Sequence, residues 1–151
     1  MTMENKNIIL SVNTFVIRDG MVLLGRRKGK VGEGMWALPG GKLAFWEKMS
    51  DCAKRELLEE TGLAAKGVKF LQLVNDIRGE DGTHCIHIQF LAEGVEGEPK
   101  LMEPDKCHEW GWFPLDDLPR DLFFAHEKFF PALKNEVVVV DVDEVLLERI
   151  D

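Results

Sequence analysis

Two β-rich runs open the chain, Ile8 to Arg18 and Met21 to Arg26, separated by Asp19-Gly20. An Asp-Gly step between such runs predicts a hairpin, because the favoured two-residue turn needs positive φ at both central positions. Lys28 to Glu33 reads as a charged, glycine-containing loop, and the short apolar stretch Trp36 to Leu38 ends in Pro39-Gly40-Gly41, read as a turn. From Glu47 the period changes. Met49, Ala53 and Leu57 recur every fourth residue with charges between them, the pattern of an amphipathic helix. Gly62 followed by Leu63 reads as its C-terminal stop.

Val68 to Val74 and Cys85 to Leu91 predict two strands joined across the polar turn Arg78 to Gly82, and Glu109 to Phe113 a short third one. Leu115 to Leu118 reads as one helical turn, and Phe124 to Phe130 as a short helix stopped by Pro131. Val137 to Asp141 is β-branched and gives way to a Glu/Leu-rich end, which predicts a last strand and a short helix. Strands and helices interleave irregularly, so the expected class is α/β (α+β): a mixed sheet sandwiched between helices, in one domain spanning 1–151.

Composition narrows the picture. The apolar share of 45% is enough for one sizeable core. No run of about 18 apolar residues exists, and Met1 to Asn7 lacks the basic start and apolar stretch of a signal peptide. Cys52, Cys85 and Cys107 have no framework spacing and read as thiols in a reducing compartment, so the cytoplasm is expected. The balance of 19 basic to 27 acidic residues, a formal charge of -8, argues against a nucleic-acid polymer as partner. A small phosphorylated ligand needs cations supplied locally, by bound metal or by Arg26-Arg27-Lys28-x-Lys30.

One constellation carries chemistry. Gly41 is followed after five residues by Glu47, and after seven more by Arg55-Glu56-Leu57-x-Glu59-Glu60-x-Gly62-Leu63. At about 100° per residue, Glu56, Glu59 and Glu60 share one side of a helix. Three carboxylates so placed repel one another, and a hard divalent cation removes the repulsion; all-oxygen ligands suit Mg²⁺ or Mn²⁺. Arg55 and Glu47 are placed to pair and to hold that face rigid. An isolated Glu-x-x-Glu-Glu would read as a solvated helix face; the flanking Gly41, Glu47, Arg55 and Gly62 reverse that reading.

The motif resembles the Nudix box, G-x5-E-x7-R-E-U-x-E-E-x-G-U with U aliphatic, at every specified position. A chance match is on the order of one in a million. The resemblance implies diphosphate hydrolysis with Mg²⁺ held by Glu56, Glu59, Glu60 and the Gly40 carbonyl. Glu56 or Glu59 is the candidate base, with Glu103 a third option. Three unspecified positions depart from common boxes: Ala44 for Glu, Trp46 for Gly, and Lys48 where a capping hydroxyl often sits. Trp46 either packs on the metal loop or stacks on a substrate.

Beyond the box, Leu23-Leu24-Gly25-x-Arg27-Lys28-Gly29, Leu38-Pro39-Gly40-Gly41, Glu103-Pro104-x-Lys106-Cys107 and Trp110-x-Trp112 are similar to MutT-type nucleoside triphosphate diphosphatases. They also resemble the subgroup that contains the human thiopurine-nucleotide diphosphatase. The resemblance implies a small-molecule nucleotide substrate and a homodimer, for which Val137 to Val140 offers an edge strand. It places Glu103 near the metal, against the alternative of a solvated loop carboxylate. It assigns Phe123 and Phe124 to the nucleobase, with one of the two packing inward, and Arg27 and Lys28 to the phosphate tail unless they form a solvated basic loop. His87 shares a strand face with Gln89 and is either a pocket residue or a structural hydrogen-bonder. Markers of other subclasses are missing: no Pro lies between Gly62 and Glu98, and there are 0 Tyr. The alternatives are another nucleoside-diphosphate-linked or prenyl diphosphate substrate, and a non-catalytic nucleotide sensor.

Overall fold

The computed structural model describes residues 6–78, 82–124, 126–133 and 139–142. Its strands are β1 (Ile9–Phe15), β2 (Ile17–Arg18), β3 (Met21–Arg27), β4 (Trp36–Ala37), β5 (Gly40–Lys42), β6 (Gly67–Arg78), β7 (Thr83–Glu93), β8 (Cys107–Pro114) and β9 (Val139–Val142); its α-helix is α1 (Met49–Thr61). They form the expected mixed α/β fold. Five strands make one mixed sheet in the order β5-β1-β7-β6-β9, with β1 parallel to β7 and β6 antiparallel to it. A smaller antiparallel sheet is built on β3, which pairs with β2, β4 and β8.

The hairpin at Asp19-Gly20 forms with φ of 51° and 74°, as the two-residue turn requires. The run before it is not one strand, however. It changes sheet at Val16: Ile9–Phe15 joins the large sheet, while Ile17–Arg18 joins the small one. The apolar stretch Phe15-Val16-Ile17 carries no mark of such a switch. Pro39-Gly40-Gly41 also differs from expectation, since Gly40–Lys42 is an edge strand antiparallel to β1 rather than a turn.

Helix α1 packs against the large sheet. Cys52 and Ala53 pack on Val12, Ile88 and Phe90, and Leu57 packs with Val16, Leu23 and Leu63. Full burial of Leu57 is worth about 1.5–3 kcal/mol. Met49, placed on the apolar face by its spacing, is 45% exposed, because Cys52 completes that face instead. Gly62 ends the helix in the left-handed conformation, its N–H on the Leu58 carbonyl. A third cluster, Phe15, Val22, Leu24, Val74 and Phe129, fills the other side of the inter-sheet space.

Leu115 to Leu118 is a turn and bend without helix. The segment after Phe124 folds as two 3-10 turns, His126–Lys128 and Phe130–Leu133. Pro131 lies inside the second, where the tighter turn does not need its missing N–H. The last predicted strand forms as β9, parallel to β6 at the edge of the large sheet. The short helix expected after it lies outside the described residues, and no described helix is long and apolar enough to cross a membrane.

Candidate active site

The two glycines of β5 are there for close approach. In register, Gly40 faces Asn13 and Gly41 faces Val12 on β1, while α1 folds back over the strand. A Cβ on Gly41 would come within 2.6 Å of Glu56 Oε2, and one on Gly40 within 2.9 Å of the Asn13 Cα. The Gly40 N–H donates to Glu60 Oε2 at 3.2 Å. Backbone and carboxylates thus meet with no side chain between them.

Arg55 organises the acidic residues. Its Nε and Nη2 donate to the two oxygens of Glu47 at 2.6 and 3.0 Å, a bidentate pair. Its Nη1 donates to Glu56 Oε1 at 2.8 Å and Glu59 Oε2 at 3.2 Å. The Arg55 guanidinium holds the Glu47 carboxyl well down, at about 2, helped by the Ala44 N–H. Burial beside Glu47 pushes the Cys52 thiol up to about 12. Lys48 at the helix N-cap gives no side-chain cap, in keeping with the missing hydroxyl.

Glu60 lies deepest. Burial, with the negative charges of Glu56 and Glu103, pushes its carboxyl up to about 8 against the opposing Gly40 hydrogen bond. Glu103, on the loop before β8, lines the same cleft and pairs with Lys106 at 3.5 Å. Among the described residues no three acidic, His or Cys side chains already converge as a ligand cluster: Glu56 and Glu59 turn to Arg55, and Glu60 to Gly40. The donor set nonetheless fits a hard divalent cation. It is all oxygen, and a cation relieves both the burial of the Glu60 charge and its repulsion by Glu56 and Glu103.

These residues form one wall of a cleft of about 850 Å³. Its floor is the face of β1 and β7 carrying Ser11, Asn13, Cys85 and His87, and its opposite wall includes Arg27, Phe123 and His126. Of the aromatic pair, Phe123 is buried and lines the cleft, whereas Phe124 is 39% exposed and is not among the lining residues. The Arg27 guanidinium stacks on the Phe123 ring at 4.0 Å, and Lys28 Nζ donates to the Pro104 carbonyl at 3.2 Å. His87 lies on the floor, its Nε2 3.1 Å from the buried Asp76 carboxylate. Trp46 touches the loop only through the Phe45 ring beside it, at φ 66° and 92% exposed against 85% for Phe45.

Several cleft residues escape a reading of the chain. Ser11 and Asn13 alternate with Leu10 and Val12, a period-two signal that was available; so was Asp76, two places from Val74. His126 had none. It is fully buried, accepts the Leu38 N–H at Nε2 (3.1 Å) and has Nδ1 3.1 Å from the Phe124 carbonyl. Burial pushes its imidazole down to about 3.

Known proteins share this motif and fold. The NUDIX domain model matches residues 8–133. An oxidized purine nucleoside triphosphate hydrolase of Danio rerio is 37% identical over 78% of this chain and 74% of its own length. An ADP-ribose pyrophosphatase of Methanocaldococcus jannaschii is 34% identical over 79% of this chain and 69% of its own. The crystal structure of a MutT NUDIX hydrolase from Burkholderia pseudomallei superposes with a TM-score of 0.80 at 34% identity, covering 85% of this chain and 99% of that one. The unbroken box and the glycine-carboxylate contacts it encodes agree with these likenesses: the chain belongs to the NUDIX family and is a Nudix hydrolase.

Proposed function

We propose that this Nudix hydrolase converts a nucleoside triphosphate, standard or modified, to the monophosphate and pyrophosphate by attack of water on phosphorus. The observation that carries the reading is the two-sided cleft, with carboxylates from α1 on one wall and a polar floor beside an aromatic wall on the other. Such a cleft suits a ligand with a charged tail and a heterocycle. The relative named for oxidized purine nucleoside triphosphates supports the same class.

Glu56, Glu59, Glu60 and the Gly40 carbonyl are the groups that would hold Mg²⁺ or Mn²⁺, which when bound supplies charge neutralisation to the phosphates. Glu47 and Arg55 keep Glu56 and Glu59 in place. Glu56 or Glu59 is the candidate to take the proton of the attacking water, with Glu103 as the third carboxylate in the cleft. Lys42 and Lys106 join Arg27 and Lys28 as cleft cations for the phosphate tail. A homodimer through the β9 edge belongs to the same proposal, and light scattering tests it.

A substrate panel decides the chemistry: pyrophosphate release from standard and oxidised nucleoside triphosphates, with ADP-ribose and a prenyl diphosphate alongside. The expected result is turnover of triphosphates, lost by orders of magnitude in Glu59→Gln and Glu60→Gln while both proteins stay folded. ADP-ribose is the second reading, favoured by the Methanocaldococcus relative. Cleavage of ADP-ribose alone would replace the first reading, and tight nucleotide binding without any cleavage would make the chain a sensor.

A further inference from the structure

The cleft floor holds a chain of side-chain amides whose direction is set from one end. Gln72 Nε2 donates to the Phe129 carbonyl at 2.9 Å, and a backbone carbonyl can only accept. The same nitrogen donates to Gln89 Oε1, which leaves Gln89 Nε2 to donate to Asn13 Oδ1 at 3.2 Å. Asn13 Nδ2 in turn donates to Ser11 Oγ at 3.3 Å. Turning any amide over would set oxygen against oxygen or nitrogen against nitrogen, so the Phe129 carbonyl polarises the whole relay. At its cleft end Ser11 Oγ accepts, and its own hydrogen remains to be donated elsewhere.

A second array fixes the neighbouring group. Asp76 is 1% exposed and its carboxylate accepts, so in the neutral form of the ring it is His87 Nε2, 3.1 Å away, that carries the hydrogen. Nδ1 is then an acceptor, with the weak thiol donor of Cys85 3.8 Å away. Phe129 lies against the His87 ring, centroids 5.0 Å apart, and restrains its rotation. Ser11 and His87 are register partners on parallel strands whose backbones lie about 5 Å apart, and both side chains line the cleft.

We propose that Ser11 and His87 are a specificity-determining pair that reads a nucleobase edge bearing a hydrogen-bond acceptor next to a donor, with Asp76 and the amide relay as positioning residues. The inference deepens the proposed function, because it names what lies beyond the phosphates. The relay is neutral and the group behind His87 is a carboxylate, so this part of the floor does not attract phosphate. An apolar prenyl tail would strand both polar groups without partners. An acceptor and a donor at adjacent positions of a base satisfy them.

Product binding tests the pair independently of catalysis. The fluorescence of the whole chain, with Trp110 in the cleft wall, is titrated with inosine monophosphate and with purine riboside monophosphate, which lacks both the oxo group and the ring N–H. Wild-type protein should prefer the inosine compound about tenfold, the factor expected from one or two neutral hydrogen bonds. Ser11→Ala and His87→Phe should each shrink the preference by weakening inosine binding alone, and Ser11→Thr should keep it. Equal affinities in the wild type overturn the proposal, as does an undiminished preference in both variants or its loss in Ser11→Thr. Triphosphate turnover, measured in parallel, judges the hydrolytic reading separately. A protein that discriminates the two monophosphates without cleaving triphosphates keeps the pair and loses the reaction.

Discussion

The two sides of the cleft are held together over very different lengths of chain. On the acidic wall, Glu47, Arg55, Glu56 and Glu59 are bonded across separations of 8 residues or fewer, within a single helix and the residues before it. On the floor and aromatic wall the separations reach 57 for Gln72 to Phe129, 76 for Gln89 to Asn13 and 88 for Leu38 to His126. The acidic wall carries charge. The floor rests on neutral amides and on the buried Asp76 carboxylate behind His87, bonded within the chain itself. The chemistry is thus local and the recognition surface is assembled from the whole sheet, so substrate preference can change while the reacting groups stay put.

Perturbing one wall at a time should separate these roles. The largest effect is expected at Glu56→Gln, which removes a candidate ligand or base: kcat falls by at least about 100-fold in a pyrophosphate-release assay, with the thermal midpoint little changed. Gly41→Ala comes next, since its methyl group would occupy the space of the Glu56 carboxylate; a drop of about 10–100-fold in kcat is expected, with product binding on the floor preserved.

Two pH experiments contrast the walls more finely. His126 is neutral in the folded chain down to about 3, whereas its unfolded value is 6.5. The unfolded state therefore takes up the extra proton as pH falls from 6.5 to 3, and stability is lost over that window. In urea unfolding, His126→Phe should flatten that part of the profile. Glu47 stays ionised in the folded chain to about 2 against an ordinary 4.5, so its contribution is complete above 4.5 and is lost as pH falls from 4.5 to 2. Glu47→Gln should remove that lower, separate part. The smallest effect belongs to Trp46→Gly, which relieves a left-handed backbone at a bulky residue and should raise stability by up to about 1 kcal/mol in the same assay.

The box was legible because its spacing and its geometry are the same fact. Residues three and four apart share a helix face, so Glu56, Glu59 and Glu60 could be placed together before any fold was known. Gly62 as a helix stop and Asp19-Gly20 as a hairpin were readable for the same reason: the conformation belongs to the residue. Met49 shows the limit even here, since an apolar residue in the first helical turn is buried only if something lies over it.

What lay between elements was not legible. The switch of sheets at Val16 and the pairing of Gly40–Lys42 with β1 depend on partners far along the chain, and a Pro-Gly-Gly step looks the same in a turn and in a strand that a helix must approach. His87 was singled out from a strand face, but its orientation comes from Asp76 and Phe129, neither its neighbour in sequence. Phe123 and Phe124 part company because Arg27 and Gly32 close over one ring and leave the other to solvent.

Local chemistry was therefore determined by the sequence alone: the family, the carboxylate face of α1, the Arg55–Glu47 pair and the requirement for glycine beside it. The tertiary structure decided which face of β1 and β7 becomes the cleft floor, which way its amides point, and which aromatic lines the wall. The physical reason is that helix-face relations follow from a fixed rise and rotation per residue, whereas strand partners and the polarity of buried hydrogen-bond chains exist only once distant segments meet.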